Sequence, residues 1–404
     1  MATDAVQASV DRLAEELGRS VVINDAAVHL LYASRHFGDE DRVRVQAVLQ
    51  READSKVIGY ILAQGVAGWT QAGVIPANDE LGLRARVCVP LRWRGRLIGL
   101  LMVIDADGTL TTSALATVTA AAGDIAALMA AGGDLDGDQQ PVPESTILDL
   151  IGPEQALRRQ ALGEILALGV MRHVGAVRAL DIAPTRPLDA VTALHFDLAV
   201  RTTLSMRLHS ALGTQLHVHC HDAAAVLICT GRPIGDKTAL DAARVILDRV
   251  RDLSAARFSC AAGLGSSVAG LDQAHITAAQ ARLARRGAAA IQPAGVVTWA
   301  DLGALSVLLQ VPVDELTVPC LPDEVQRLLA AEGGEALART VKAYLDHAGS
   351  AAAASATLHV HRTSLYYRLG RVAELTGLDL TDGKTRLALH AGLTLLELID
   401  SSGS

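Results

Sequence analysis

LHVHRTSLYYRLGRV, residues 358–372, is strongly basic in a chain that is acidic overall. It holds three arginines, two tyrosines and no carboxylate, whereas the whole chain of 404 residues has 36 basic and 44 acidic side chains. Residues 336–371 carry five basic side chains against Asp346 alone, a local charge of +4. A compact positive element on an acidic body suits a polyanion that approaches this element only, because the remainder would repel it.

Two predicted helices meet in this stretch. The first covers residues 350–358 and begins at Ser350, whose hydroxyl group can cap it, and the second covers residues 361–376. Only His359 and Val360 separate the two helices, and so short a connection is typical of a helix-turn-helix. The sequence therefore predicts that motif, with Val360 filling the corner.

The second predicted helix has two distinct faces. Steps of about 100° per residue place Leu365, Leu369 and Val372 on one side, opposite a face of hydroxyl, tyrosine and arginine side chains. Such groups can contact phosphates and base edges in a major groove, and the positive end of the helix dipole assists them, whereas the alternative is an ordinary solvated face. The predicted DNA-binding residues are Ser350, His361, Arg362, Thr363, Ser364, Tyr367, Arg368 and Arg371.

A family resemblance accompanies this pattern. VKAYLDHAGSAAAASATLHVHRTSLYYRLGRVAELTGLDLTDGKTRLALHAGLTLLELI, residues 341–399, resembles the C-terminal helix-turn-helix domain of PucR-type bacterial transcription regulators. The resemblance implies sequence-specific DNA binding by a cytoplasmic regulator of catabolic or metabolic genes. Ser355 stands where Ala is usual, Thr363 where Asn is usual and Ser364 where Thr is usual. The last two lie on the reading face, so the base preference of this chain is expected to differ.

The rest of the chain indicates a multidomain α+β protein. Two predicted hairpins, at 20–34 and 85–105, precede a long helix at 113–131, and this N-terminal part is similar to a GAF domain, a fold that binds small molecules or dimerises. Trp69 and Trp93 are candidates for a pocket wall, and core packing explains them equally well. We favour the core for Trp69. The predicted parts are a GAF-like sensory domain at 1–131, a linker at 132–152, a middle domain at 153–300, a helical connector at 301–335 and the helix-turn-helix domain at 336–404.

The middle domain is predicted to be ferredoxin-like. A strand at 190–199, a helix at 201–212, a hairpin at 214–229, a helix at 237–252 and a strand at 257–265 give the order βαββαβ, with two helices on one face of the sheet. The domain resembles the degenerate cyclase-like (GGDEF-like) domain that precedes this type of helix-turn-helix. Active cyclases carry Gly-Gly-Asp/Glu-Glu-Phe in the hairpin.

The hairpin here reads HVHCHDAAAVLI and keeps only Asp222, so a nucleotide cyclase would lack its metal ligands, and we predict that the protein is not an enzyme. A second alternative is a metal-responsive binding protein, because His217, His219 and His221 alternate along one strand and share a face. The competing interpretation is a polar outer face of the sheet. We therefore assign no metal and no cofactor.

Other classes are disfavoured by composition. Five cysteines without a Cys-x-x-Cys pair predict reduced, buried thiols, and the best apolar run, 97–104, is far shorter than the ~20 residues of a membrane span. We predict a cytoplasmic one-component regulator of double-stranded DNA without membrane contact. A homodimer is expected, joined by residues 114–131 or by the middle domain, with a small-molecule effector at the N-terminal domain changing the spacing of the two reading heads.

Overall fold

The computed structural model describes residues 2–26, 28–50, 54–132, 142–169, 171, 173–205, 214–220, 223–291, 294–311 and 317–402. Its backbone contacts divide the chain into two compact units. The first is Met1–Ala288 with Gln292–Asp301, and the second is Ala289–Ile291 with Leu302–Ser404. Both described sheets lie in the first unit, and from Leu302 onward the described segments are helices and turns. The protein is therefore a multidomain α+β structure, as predicted.

The N-terminal domain is built on one antiparallel sheet of order β2-β1-β5-β4-β3. The strands are β1 (Val21–Asn24), β2 (Leu30–Ala33), β3 (Gly73–Ile75), β4 (Arg86–Trp93) and β5 (Arg96–Ile104). The helices are α1 (Ala2–Leu17), α2 (Arg42–Gln50), α3 (Ser55–Ala63) and α4 (Thr112–Gly132). Alternation along β4 sends Val87 and Val89 into the core with α1 and α4, and Cys88 into the core with α2 and α3. Both faces of this sheet are therefore covered.

The predicted hairpins and closing helix are present, and the segment between the two hairpins holds further elements for which the sequence gives no prediction. It holds α2, α3 and β3, which are too short to show a clear period in the sequence. Trp69 is half-buried and packs against the core, whereas Trp93 is 38% exposed. The preference for Trp69 as a core residue therefore agrees with its packing.

Helix α4 is long and apolar enough, by length and composition, to cross a membrane over Thr112–Ala131. The sequence predicts this helix at 113–131, but small and polar residues interrupt its apolar run, so the sequence did not mark it as a candidate membrane span. In the structure Val118, Ile125 and Met129 are fully buried against α1 and the sheet, although only 28% of the apolar window is buried. One side of α4 is thus a core element of its domain.

The middle domain is built on a second sheet of order β10-β9-β6-β8-β7. Its strands are β6 (Ala176–Pro184), β7 (Thr214–Cys220), β8 (Ala223–Thr230), β9 (Cys260–Leu264) and β10 (Val296–Thr298), and its helices are α5 (Glu144–Ile151), α6 (Gln155–Ala167), α7 (Ala190–Ser205), α8 (Asp236–Leu253) and α9 (Ala274–Ile291). The four strands β9-β6-β8-β7 are antiparallel, and β10 lies parallel to β9. The order is that of the predicted split βαβ arrangement.

Two details of that prediction are wrong. The predicted strand at 190–199 belongs to helix α7, and the first strand is β6, which the sequence did not indicate. Buried Arg178 and Asp181 interrupt the apolar pattern of β6; Arg178 pairs with Asp236 at 2.6 Å and Asp181 pairs with Arg285. The sheet is also covered on both faces, by α7 and α8 on one and by α5, α6 and α9 on the other.

Close backbone approaches fix two contacts of the first unit. A Cβ at Gly59 of α3 would lie 2.8 Å from the carbonyl oxygen of Asp252 at the end of α8, so a glycine lets the N-terminal and middle domains pack together. A Cβ at Gly263 of β9 would lie 2.0 Å from the carbonyl oxygen of Ala281 in α9. Larger side chains at either position would separate these elements.

The second unit is helical in its described part. Its helices are α10 (Leu305–Leu308), α11 (Asp323–Ala330), α12 (Gly334–Asp346), α13 (Ala351–Thr357), α14 (Arg362–Thr376) and α15 (Gly383–Ser402). Short 3-10 turns across the chain are Val66–Gly68, Leu271–Gln273, Trp299–Leu302 and Val318–Cys320. The core of the unit is one apolar cluster fed by α11 to α15, with Val325, Val341 and Leu389 fully buried. That cluster holds α13 and α14 in place.

Candidate nucleic-acid interface

The corner between α13 and α14 is held by local hydrogen bonds. The Ser350 hydroxyl oxygen accepts a backbone N–H at the start of α13, at 3.4 Å. His359 takes the left-handed conformation with φ 51°, which turns the chain, and half-buried Val360 packs on the core. His361 then caps α14, since its Nδ1 accepts from the backbone N–H of Thr363 at 3.3 Å. The turn is thus defined by its own residues.

The inner face of α14 anchors it to the unit. Leu365 and Val372 are fully buried and Leu369 is 9% exposed, at the spacing that the sequence predicted. On the facing helix Ala354 is fully buried, and the Ser355 hydroxyl bonds the carbonyl oxygen of Ala351. Small residues on α13 let the two helices cross closely, which leaves the opposite face of α14 outward.

The outward face of α14 is a single polar and aromatic surface, here called the α14 face. Its aromatic side chains are Tyr366 and Tyr367, which are 61% and 74% exposed. Gly370 continues the face with nothing within 4 Å of an added Cβ. The exposed members are His361, Arg362, Thr363, Ser364, Tyr366, Tyr367 and Gly370. Five of the eight predicted residues therefore lie together on one exposed surface.

The other three predicted residues are engaged within the unit. Ser350 uses its hydroxyl group as a helix cap, and Arg368 is half-buried with Nη1 3.5 Å from the Thr340 hydroxyl. Arg371 pairs with Glu374 at 3.2 Å and with Glu332 at 3.8 Å. Glu332 precedes the basic segment 336–371 and Glu374 follows it, so the composition of that segment did not indicate these pairs.

Tyr366 also lies on the α14 face, although it is not among the residues predicted to bind DNA. It lies three positions after Thr363, and this spacing places the two side chains on the same side of a helix. The same spacing is present in the sequence, from which only the adjacent Tyr367 is predicted. Two neighbouring phenol rings give the α14 face more aromatic surface than expected.

Asp346, the lone carboxylate of the basic segment, is paired with side chains of its own unit. It accepts hydrogen bonds from Lys342 at 2.7 Å and from Nε2 of His390 at 2.8 Å, which tie α12 to α15. Burial opposes the charge, but these two bonds hold the pKa of Asp346 below its ordinary value. Asp346 therefore adds little free negative potential near the α14 face.

The histidine alternative lies largely outside the described residues. His221 and Asp222 are not described, and for His217 and His219 only the backbone of β7 is described. Among the described residues no group of three His, Cys, Asp or Glu side chains is arranged to hold a metal ion.

Three of the four described thiols are buried, as predicted, and the side chain of Cys220 lies outside the described part of the chain. Burial raises the pKa of Cys88, Cys229 and Cys260 to about 12, which makes these thiols unreactive. Cys320 is exposed, contrary to the prediction that all thiols are buried.

Two domain families match this chain. Residues 337–395 match the PucR C-terminal helix-turn-helix domain, which confirms the resemblance drawn from residues 341–399. Residues 5–129 match the GAF domain. The middle domain lies between these two regions, and its fold is described from the structure alone.

One curated relative is the carbohydrate diacid regulator of Escherichia coli strain K12, which is 38% identical over 95 residues. The match covers 22% of this chain and only 25% of that relative. One solved structure is a regulator of polyketide synthase expression from Bifidobacterium adolescentis, which is 21% identical to this chain. The match covers 60% of this chain and 92% of the regulator, with a TM-score of 0.26. A TM-score so low supports no argument about fold or function. From the two domain matches, the chain carries an N-terminal GAF domain and a C-terminal helix-turn-helix domain of the PucR type.

Proposed function

We propose that the protein is a DNA-binding transcriptional regulator that reads a duplex with the α14 face. The observation that carries the proposal is this face itself: exposed hydroxyl, phenol and guanidinium groups on the second helix of a helix-turn-helix, without an exposed carboxylate from His361 to Gly370. The match of residues 337–395 supports it. Because a duplex is a polyanion, a carboxylate-free surface meets it without repulsion.

The contacts fall into two kinds. Thr363, Tyr366 and Tyr367 lie at the centre of the face and are suited to base edges and thymine methyl groups. Arg362 and His361 lie at the helix N-terminus, where backbone N–H groups and the helix dipole favour a phosphate. Arg368 and Arg371 are flanking groups, and Arg371 must exchange its carboxylate partners to reach the DNA.

A dimer follows from the size of the module. One helix covers few base pairs, so useful affinity requires two half-sites read by two copies. The exposed side of α4 carries Ala116, Ala120 and Gly123, which allow two helices to approach closely, and we place the dimer contact there. Size-exclusion chromatography with light scattering tests this, and a monomer at all concentrations contradicts it.

The GAF domain and the middle domain receive the signal and transmit it. In the proposed scheme the GAF domain binds a small effector, and the middle domain passes the change on without catalysis. The protein then works in the cytoplasm, where bacterial DNA is held. Nucleotide turnover with magnesium by the purified chain would contradict the non-enzymatic role.

The test uses duplexes selected by the purified full chain from a random library. Fluorescence anisotropy then measures binding of the chosen duplex and of an unrelated duplex. Tyr366→Ala and Tyr367→Ala should each weaken the selected complex by about 1–3 kcal/mol, because they remove base contacts. Arg362→Ala should weaken both complexes and reduce the salt dependence by about one phosphate contact.

A matched control is Arg159→Ala, which removes an equal charge from an exposed position on α6 of the first unit. It should leave both complexes unchanged. If Tyr366→Ala, Tyr367→Ala and Arg362→Ala all bind like the control, the α14 face does not read DNA and the proposal is wrong.

A further inference from the structure

Arg44 of helix α2 is a buried cation with incomplete hydrogen bonding. The residue is only 4% exposed. Nη2 donates to the carbonyl oxygen of Ser34 at 2.9 Å, but Nε and Nη1 have no hydrogen-bond partner among the described residues. A guanidinium is always charged, and leaving its N–H groups unpaired away from water costs free energy. Such a group in a folded domain calls for a missing acceptor.

The nearby carboxylates do not supply that acceptor. Asp41 accepts from the backbone N–H of Arg84 at 2.9 Å and pairs with the guanidinium of buried Arg86. Glu40 accepts from the backbone N–H groups of Phe37 and Gly38 at 2.8 Å and 3.2 Å. Both carboxylates are thus committed to other donors. Asp39 accepts from the backbone N–H of Ser20 at 2.8 Å through Oδ2, and its buried Oδ1 has no hydrogen-bond partner among the described residues. No described carboxylate, Asp39 included, lies within ion-pair distance of the Arg44 guanidinium.

The positive charge of Arg44 is offset by nearby carboxylates that do not contact it. Burial lowers the pKa of Arg44, and the charges of Asp39, Glu40 and Asp41 only partly offset this effect. The guanidinium is therefore incompletely compensated where it lies, and an acceptor in direct contact with its free N–H groups would stabilise it.

Arg44 lines a cavity between α2, α3 and the sheet of the GAF domain. The cavity has a volume of about 40 Å³. Its wall is mainly aliphatic and includes Val22, Val28, Leu30, Val57, Ile61 and Met102. The other polar side chains of the wall are satisfied, since Asn24 donates to the carbonyl oxygen of Val28 and Arg86 pairs with Asp41. The unpaired N–H groups of Arg44 are therefore the distinctive polar feature of an otherwise apolar site.

We propose that this cavity binds a short-chain aliphatic carboxylate, whose oxygens accept from the free N–H groups of Arg44 and whose carbon chain packs on the aliphatic wall. The inference rests on the proposed function, because it names the chemical class of the effector. A volume of about 40 Å³ is roughly three times the space that one water needs, so the ligand has few carbon atoms. A larger phosphate ester would need more donors than the wall offers.

The test is ligand-observed saturation-transfer NMR on the full chain without DNA, with sodium propionate and sodium butyrate as probes. Propionamide and butyramide have nearly the same shape without the charge, and we expect them to bind at least about tenfold more weakly. Sodium chloride and sodium phosphate at equal ionic strength separate carboxylate recognition from general anion binding. Equal binding of acid and amide, or displacement of propionate by chloride, overturns the proposal.

Two variants locate the site. Arg44→Met should abolish propionate binding, whereas Arg42→Met, an exposed arginine on the same helix, should keep it. If Arg44→Met fails to fold, a second variant keeps the test open. Ala47 also lines the cavity, so Ala47→Phe fills it and leaves the arginine in place, and it should abolish binding as well. Binding that survives Ala47→Phe, in a variant with an unchanged melting temperature, overturns the assignment.

The outcome is independent of DNA binding. Propionate is measured without DNA, and the selected duplex is measured without acid. Acid binding with no specific duplex removes the regulator proposal but keeps an acid-binding GAF domain. Specific duplex binding without acid binding removes only this inference.

Discussion

Replacing Glu374 by glutamine should strengthen DNA binding. Glu374 lies one turn beyond the exposed centre of the α14 face and is 3.2 Å from Arg371, which also lies 3.8 Å from Glu332. The side chains of Arg371 and Glu374 are 40% and 69% exposed, so solvent screens their pair and it stabilises the fold by no more than about 1 kcal/mol. Breaking this pair therefore costs the folded protein little.

The gain on DNA has two parts. The substitution removes one negative charge that would face the phosphates, and it releases Arg371 to neutralise one of them. Together these changes should raise affinity by about 0.5–1.5 kcal/mol, roughly two- to tenfold, at low salt. The plot of log K against log salt should steepen by about 0.9, the value for one more phosphate contact.

Fluorescence anisotropy over a series of salt concentrations measures both quantities. Glu154→Gln makes the same charge change at an exposed position of the first unit and serves as control. The reasoning is refuted if Glu374→Gln binds like the control at every salt concentration, or if Arg371→Ala binds as tightly as the unmodified protein. Either result would mean that Arg371 keeps a structural role and does not reach the duplex.

Three further changes test other parts of the structure. Gly370→Ala should raise the stability of the second unit by up to about 1 kcal/mol in thermal unfolding, because nothing lies within 4 Å of the new Cβ, and it should weaken DNA binding if the backbone there approaches a groove. Asp346 has a pKa below its ordinary value of 3.8, so its contribution to stability is complete above that value and is lost as pH falls through the lowered pKa. Asp346→Asn, which removes the ion pair with Lys342 and alters the hydrogen bond with His390, should therefore lower stability at pH 7 and flatten the acid limb of a pH–stability curve; an unchanged limb would contradict this. Gly263→Ala should destabilise the first unit by about 1–3 kcal/mol, because its Cβ would lie 2.0 Å from the carbonyl oxygen of Ala281, and urea unfolding with an unshifted midpoint would show that β9 and α9 can separate freely.

Local sequence periodicity was sufficient to predict much of the helix-turn-helix. The spacing of Leu365, Leu369 and Val372 fixes the inner face of α14, and the same helical geometry turns Thr363 and Tyr367 outward. These features depend on neighbours within one or two turns. A sequence pattern is therefore sufficient to predict them.

Tertiary structure decided what depends on residues far apart in the chain. Arg371 was assigned to the reading face, but it meets Glu332, 39 positions away, and strand β6 was missed because buried Arg178 and Asp181 have ion-pair partners on distant helices. Likewise, nothing local marks Arg44 as a cation with unpaired N–H groups, since its cavity is enclosed by strands on both sides of α2 in the sequence. Burial and pairing of charges are set by long-range packing, which a local pattern of residue types does not encode.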